Sequence, residues 1–518
     1  MKFLLISLYD ESCPGLRSVG KTLSDEGHEI HFLHIKCLEA GFVSTSDKNK
    51  SHRILSDHPL TPRDVTPLGD IYQKYSPITD KEIELFIKHI NDINPGAVGF
   101  SVAMDTHRTA SMLSTEIKKN NSKIKIIWGG LYSTFFPEKS LNYCDIAATG
   151  EGELSILKWA ENPNSKEISG LWFKNSTCPS INSNKPVINQ KLLFNDNETT
   201  LTDDMLSKRM SENKQLIGSN YIFMSDRYCP FNCSFCLSGQ LRKISKNNHT
   251  KSVQNFIEEI SLITNKYTVP EPLLFWDDNF GADESWLDEF CSIYPKEIGI
   301  PFKCYIHPLL HNNDSIKLLH KTGAVGISMG LQNGSRRVLK EVYNRYNDVD
   351  RIIETAHYIR DAGVKDLQID YITNCPYEAE DDLKETLETL LRFPKPYLLH
   401  MAKLVIYPGS KLAQYKGNKS NLTEKDFDFW NLIFLLTQVD TLSPKEIRTL
   451  SKDKHLRREP ELLGKIAHSI LNSYETINNY REEIKHKDFL LQNSCHKKIV
   501  PIIMDKIRYK LERWKNSQ

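Results

Sequence analysis

The sequence predicts an α/β protein with two successive parallel sheets and a mostly helical C-terminal region. Three observations predict it. Strand and helix patterns alternate over the first 160 residues, alternate again between residues 221 and 415, and then strand signals stop. The expected segments are an open-sheet domain at 1–160, a linker at 161–220, a partial barrel at 221–415 and helices at 416–518. A chain of 518 residues can bury more than one core.

In chain order, Lys2 to Leu8 reads as a strand, and Leu16, Val19 and Leu23 mark one helix face that closes at Gly27. HEIHFLHI alternates as a second strand, and the polar stretch from 41 to 75 reads as a loop. Thr79 and Glu82 form a capping-box pattern opening a helix with Ile83, Phe86, Ile87 and Ile90 on one face. A strand at Ala97 to Val102, a helix at Arg108 to Lys119 and the strand KIKIIWGG follow. Such doubly wound sheets bind ligands beyond the carboxyl ends of their strands. The 161–220 stretch is rich in Asn, Ser, Lys and Thr and is expected to carry one short hairpin.

The second region places strands at Tyr221 to Met224, Leu273 to Trp276, Phe302 to Ile306, Val325 to Leu331, Leu367 to Ile372 and His400 to Ile406. Helical patterns such as SVQNFIEEISLIT separate them, and six such units suit a partial (β/α)6 barrel. Beyond it, Ser443-Pro444 with Glu446 is a helix start, FDFWNLIFLL reads as helical core, and the last 40 residues are basic and expected to be helical.

Composition narrows the function classes. Lys plus Arg (67) nearly cancels Asp plus Glu (66), so no whole-protein basic field argues for nucleic acid or a membrane surface. No apolar run approaches the roughly 18 residues needed to span a bilayer. Eleven cysteines in this length are too few for a disulfide scaffold, so reduced thiols and the cytoplasm are the expectation.

The strongest signal is RYCPFNCSFC, with Cys229, Cys233 and Cys236 just after a predicted strand. Three soft thiolates from one tight loop suit an iron–sulfur cluster or zinc. Zinc usually takes a fourth ligand at a paired spacing, and no second Cys-x-x-Cys accompanies this loop.

This CxxxCxFC loop, with Phe235 before its last cysteine, resembles that of the radical S-adenosylmethionine superfamily. The resemblance implies that Cys229, Cys233 and Cys236 hold a [4Fe–4S] cluster whose open iron chelates S-adenosylmethionine, which is cleaved reductively to a 5′-deoxyadenosyl radical. It implies further cofactor contacts from Asp277 and Asp278 in FWDDNF, from Gln332 and Ser335 in SMGLQNGS, from Arg345, and from Asp370 and Glu378 in DYITNCPYE. Asn374 and Tyr377 stand where the family's fifth-strand motif carries glycines, and Tyr228 replaces the glycine usual before the first cysteine.

Residues 95 to 153 resemble the Rossmann-like cobalamin-binding domain that precedes many such barrels. The order GG, Thr, PE, GEGE carries the likeness and implies Ser101, Gly129, Gly130, Thr134, Gly150 and Glu151 as cobalamin contacts. His107 reads as a helix-start residue rather than a cobalt ligand.

The implied function is a cobalamin-dependent radical methyltransferase acting on an unactivated carbon of a small molecule or natural-product intermediate, with flavodoxin or ferredoxin as electron donor. The alternatives are a non-methylating radical cyclase or oxidative rearrangement enzyme with the same cofactors and, from another class, a zinc-binding interaction protein.

Overall fold

The computed structural model describes all residues except 11, 37–38, 45–60, 68, 175–186, 188–189, 191, 203–204, 208–221, 228, 245–249, 270, 346–347 and 472–518. Tyr228, Cys37, Cys178, Cys495 and the basic C-terminal stretch therefore lie outside the described residues. The chain divides into two compact units: Met1–Glu39, Tyr75–Tyr305 and Tyr407–Ala413 form one, and Ala40–Lys74, Ile306–Ile406 and Gln414–Gln518 form the other.

The first unit begins with an eight-stranded sheet. Its central strands are β1 (Lys2–Leu8), β2 (Glu29–Ile35), β6 (Ala97–Ser101), β7 (Lys125–Gly129) and β8 (Ile146–Ala148), joined in parallel. Successive β1 side chains point to opposite faces, and both faces are covered. Leu4 and Ile6 pack with Phe86, Leu113 and Trp128, while Phe3 and Leu5 pack with Leu16, Val19, Leu23 and Trp159. The capping box on the helix Asp80–Ile93 forms as the sequence predicts, with the Glu82 N–H donating to Thr79 Oγ1 at 3.2 Å and the Thr79 N–H to Glu82 at 2.7 Å.

Strands from the 161–220 stretch complete this sheet. β9 (Leu171–Phe173) pairs antiparallel with β8, β10 (Glu198–Thr202) runs parallel to β2, and β11 (Met205–Ser207) forms a hairpin with β10. Buried Arg17, on the helix Pro14–Asp25, donates to both oxygens of buried Glu198 at 2.7 and 3.1 Å and so anchors β10.

The same unit holds β12 (Ile222–Phe223), β13 (Leu273–Phe275) and β14 (Phe302–Ile306), parallel and in chain order. An aromatic core fixes them to their helices: Phe275 stacks on Phe302 with centroids 4.7 Å apart, and meets Phe256 and Phe290 edge-on from the helices Val253–Lys266 and Glu284–Glu297.

The second unit carries β15 (Ala324–Gln332), β16 (Asp366–Thr373) and β17 (Leu398–Lys403), again parallel and in order. Each set is interleaved with helices, as the expected partial barrel requires. The helix Glu424–Leu435 buries Phe427, Phe429, Trp430 and Phe434, so the apolar C-terminal run is core, as expected.

One expectation is corrected. Residues 41 to 75 are not simply a loop: β3 (Glu39–Ser44), β4 (Thr61–Thr66) and β5 (Gly69–Lys74) form a small sheet in the order β3-β5-β4. Buried Asp70 on β5 pairs with Lys403 of β17 at 2.6 Å and ties that sheet to the barrel strand.

Candidate active site

The cysteine loop follows β12 directly. Cys233 is buried, and Cys229 and Cys236 are half-buried. The Cys236 N–H donates to the Cys233 carbonyl at 3.2 Å, and the helix Ser238–Ile244 closes the loop. A Cβ on Gly239 would sit 2.6 Å from the Phe231 carbonyl, so only glycine lets that helix press so close to the loop. Half-buried Phe235 lies within the loop, between Ser234 and Cys236. The Leu412 N–H donates to Ser234 O at 2.8 Å and braces it from another side.

Burial pushes the Cys229 thiol up to about 12, with nearby Asp278, Cys233 and Cys236 adding to the rise, and burial raises Cys236 too. These thiols stay protonated at neutral pH until a cation takes the proton's place. Among the described residues, no three His, Cys, Asp or Glu side chains are grouped to hold a single metal ion. A cubane cluster does not require that grouping, because each thiolate binds a different iron. The donor set, three soft thiols on one braced loop, fits such a cluster.

Two acidic residues after β13 serve this loop. Buried Asp277 accepts from Ser225 Oγ at 2.7 Å and from the Asp226 N–H at 2.6 Å, which fixes the backbone entering the loop. Exposed Asp278 accepts from Ser238 Oγ at 2.6 Å, just past Cys236.

At the N-terminal sheet, Ser101 and Gly129 are register partners at the carboxyl ends of β6 and β7. The two glycines of the turn differ. A Cβ on Gly130, where φ is +86°, would lie 2.8 and 2.9 Å from the Val102 backbone, whereas one on Gly129 would meet only Phe100 O at 3.9 Å. The protein itself therefore needs glycine at 130. At 129 it leaves open room, which suits a cofactor approaching the backbone and is the local fit for cobalamin. Thr134 Oγ1 donates to Gly130 O at 2.9 Å and accepts from the Gly150 N–H at 3.1 Å. His107 begins the helix His107–Asn120, stacks on Tyr132 at 4.5 Å and has Nδ1 2.7 Å from Met104 O.

Buried Glu151 pairs with Arg227, two residues before Cys229, and Glu153 pairs with the same guanidinium at 3.0 Å. Sequence reading singled out neither Arg227 nor this pairing. The available signal was charge complementarity, an Arg beside one motif and paired glutamates in the other.

In the second unit, Gln332, Arg345 and Gly330 come together. Gln332 ends β15 with φ of +65°, its amide folded over Gly330, while Arg345 Nη2 donates to Gly330 O at 2.7 Å. Buried Ser335 is committed elsewhere, its Oγ donating to Asp382 at 2.7 Å. On β16, Asp370 accepts from Gln368 Nε2 at 2.7 Å and lies 3.0 Å from His400 Nδ1. Buried Glu378 accepts from Asn333 Nδ2 at 2.6 Å and from the Cys375 N–H at 3.2 Å. Asn374 replaces a family glycine and adopts φ of +58°, a left-handed conformation that Asn tolerates.

Residues 226–390 match the model of the Radical SAM superfamily, and residues 74–157 match that of the B12 binding domain. An uncharacterized methyltransferase of Pyrococcus horikoshii is 25% identical over 63% of this chain and 71% of its own length. The bacteriochlorophyllide d C-8(2)-methyltransferase of Chlorobaculum tepidum is 23% identical over 70% of this chain and 78% of its own. Among solved structures, the cobalamin-dependent S-adenosylmethionine radical enzyme OxsB shares the fold, with a TM-score of 0.61 and 13% identity over 100% of this chain and 81% of that one.

Fold and site thus define an enzyme that pairs a cobalamin-binding sheet with a radical barrel. The chain carries a Radical SAM superfamily domain and a B12 binding domain, which together imply a [4Fe–4S] cluster, S-adenosylmethionine and cobalamin as cofactors. Among the described residues no helix is long and apolar enough to cross a membrane.

Proposed function

We propose that this chain is a cobalamin-dependent radical methyltransferase that methylates an unactivated carbon of a small molecule or natural-product intermediate. The observation that carries the reading is the presence in one unit of the three-thiol loop and of a sheet whose Gly129 is left open at its carboxyl end. Methyltransferase names among the sequence relatives outnumber a cyclase name, which favours methyl transfer over cyclisation or oxidation. Iron–sulfur-bound S-adenosylmethionine supplies the hydrogen-abstracting radical, and cobalamin supplies the methyl group.

The chain's own residues hold and orient these groups. Cys229, Cys233 and Cys236 bind the cluster, and Asp277 fixes the loop's entry through Ser225 and Asp226. By the likeness of their motifs, Gln332, Arg345 and Asp370 would bind S-adenosylmethionine; Arg345 donates to Gly330 O, and Asp370 accepts from Gln368 Nε2. Ser101 and Gly129 line the cobalamin side. Flavodoxin or ferredoxin would deliver the electron.

The test supplies candidate substrates with reductant under anaerobic conditions. Methyl transfer yields 5′-deoxyadenosine and S-adenosylhomocysteine in near-equal amounts and a product heavier by one CH₂. 5′-Deoxyadenosine without S-adenosylhomocysteine would contradict methyl transfer and favour the cyclase-like or oxidative alternative.

A further inference from the structure

Polar contacts and short chain links connect the turn beside the open Gly129 to Arg227, two residues before Cys229, within one unit. They start at Gly130, whose carbonyl accepts from Thr134 Oγ1 at 2.9 Å. The same hydroxyl accepts from the Gly150 N–H at 3.1 Å and so pins the start of the Gly150–Glu153 turn. Glu151, next in sequence, pairs with Arg227, and Glu153 pairs with it at 3.0 Å. Arg227 then leads within two residues to Cys229.

The acidic end of this run is rigidly held. Glu153 accepts from Ser18 Oγ at 2.8 Å, and Gln190 Nε2 donates to the same hydroxyl at 2.8 Å. The glutamate side chains are only 7% and 3% exposed and that of Arg227 is 22% exposed, so the pairing is shielded from solvent and salt. One guanidinium nitrogen, Nη1, serves both glutamates, while Nη2 donates to Ser18 Oγ at 3.4 Å, so Arg227 is held from three side chains. Glu151, expected as a cobalamin contact, is turned to the cysteine loop instead.

We infer that Arg227 is a positioning residue that couples the two cofactor sites, so that cobalamin at the Gly129–Gly130 turn and S-adenosylmethionine at the cluster strengthen each other's binding. The inference rests on the cofactor assignments under the proposed function. A ligand seated in the open room at Gly129 orders the turn, Thr134 passes that order to Gly150, and the Glu151–Arg227 pair passes it towards the cysteine loop. Linkage makes the effect reciprocal, so the same factor must appear from either side.

The test is a spectral titration of full-chain, cluster-reconstituted protein with hydroxocobalamin, with and without S-adenosylmethionine, and the converse titration. The wild type should show a mutual strengthening of about 5-fold or more. In Arg227→Ala and Glu151→Gln each ligand should still bind alone, and the factor should fall towards one. If Arg227→Ala does not fold, Glu151→Gln, which keeps shape and removes charge, carries the comparison. A factor of one in the wild type, or an unchanged factor in the variants, would overturn the coupling while leaving the cofactor assignments standing. Protein with a full cluster that takes up no cobalamin would overturn those assignments as well.

Discussion

Asp277 accepts a 2.7 Å hydrogen bond from Ser225, two strands' ends meeting at the mouth of the cysteine loop. The same oxygen takes the Asp226 N–H at 2.6 Å, and the other oxygen is buried without a partner. Burial raises the Asp277 carboxyl to about 7. The residue thus acts on the loop's backbone. Removing the serine hydroxyl leaves a buried carboxyl short of a donor, so Ser225→Ala should cost about 1–3 kcal/mol. Denaturant unfolding measures that loss, and an iron assay should show reduced cluster occupancy. A variant as stable and iron-rich as the wild type would refute the role.

The two glycines of the cobalamin-side turn should separate cleanly. Gly130→Ala forces a side chain into a left-handed conformation, about 1–2 kcal/mol by itself, and against the Val102 backbone. Its melting temperature should fall with or without cobalamin. Gly129→Ala should melt like the wild type and bind cobalamin more weakly, because its side chain fills space the protein leaves open. Thermal melts and a cobalamin titration on both variants check the pair.

Glu378 should make stability depend on pH. Burial lifts its carboxyl from 4.5 to about 7, against the hydrogen bonds from Asn333 and the Cys375 N–H. The folded state therefore holds a proton that the unfolded chain releases between about pH 4.5 and 7. Its contribution is full below the unfolded value and is lost as pH rises through the folded one, roughly 3 kcal/mol in all. Glu378→Gln cannot ionise. Relative to that variant, the wild type should lose stability between about pH 4.5 and 7, as read by chemical unfolding at each pH. A constant difference would contradict the raised carboxyl.

The sequence made the central strands legible because both faces of each are covered. Lys2–Leu8 carries a nearly continuous buried run and Phe302–Ile306 alternates buried with half-buried positions, and their bounds match the structure. Capped helices were equally plain, as with Thr79 and Glu82. The sheet at β3, β4 and β5 was not, because TPRDVT has neither apolar alternation nor a turn signature, and its pairing depends on distant partners such as Lys403. The short hairpin expected in 161–220 is β10–β11, but its joining to β2 was hidden, since that rests on the Arg17–Glu198 pair. The last barrel strand was expected at His400 to Ile406 but spans Leu398–Lys403. The run LLHMAKLVIY contains no register mark, and pairing from Gln368↔Leu398 to Thr373↔Lys403 decides it. At the site, the cysteines were visible from spacing alone. The ties of Arg227 to Glu151, 76 residues apart, and of Ser335 to Asp382, 47 apart, exist only once the chain has folded.

The most direct test of the account is to reconstitute the full chain anaerobically with iron and sulfide, add S-adenosylmethionine and a low-potential reductant, and quantify cluster and 5′-deoxyadenosine together. The account predicts about four irons per chain with the spectrum of a [4Fe–4S] centre, 5′-deoxyadenosine formation, and loss of both in Cys229→Ala, Cys233→Ala and Cys236→Ala. A colourless zinc protein, or a triple-alanine variant that keeps its iron and cleaves S-adenosylmethionine normally, would contradict it.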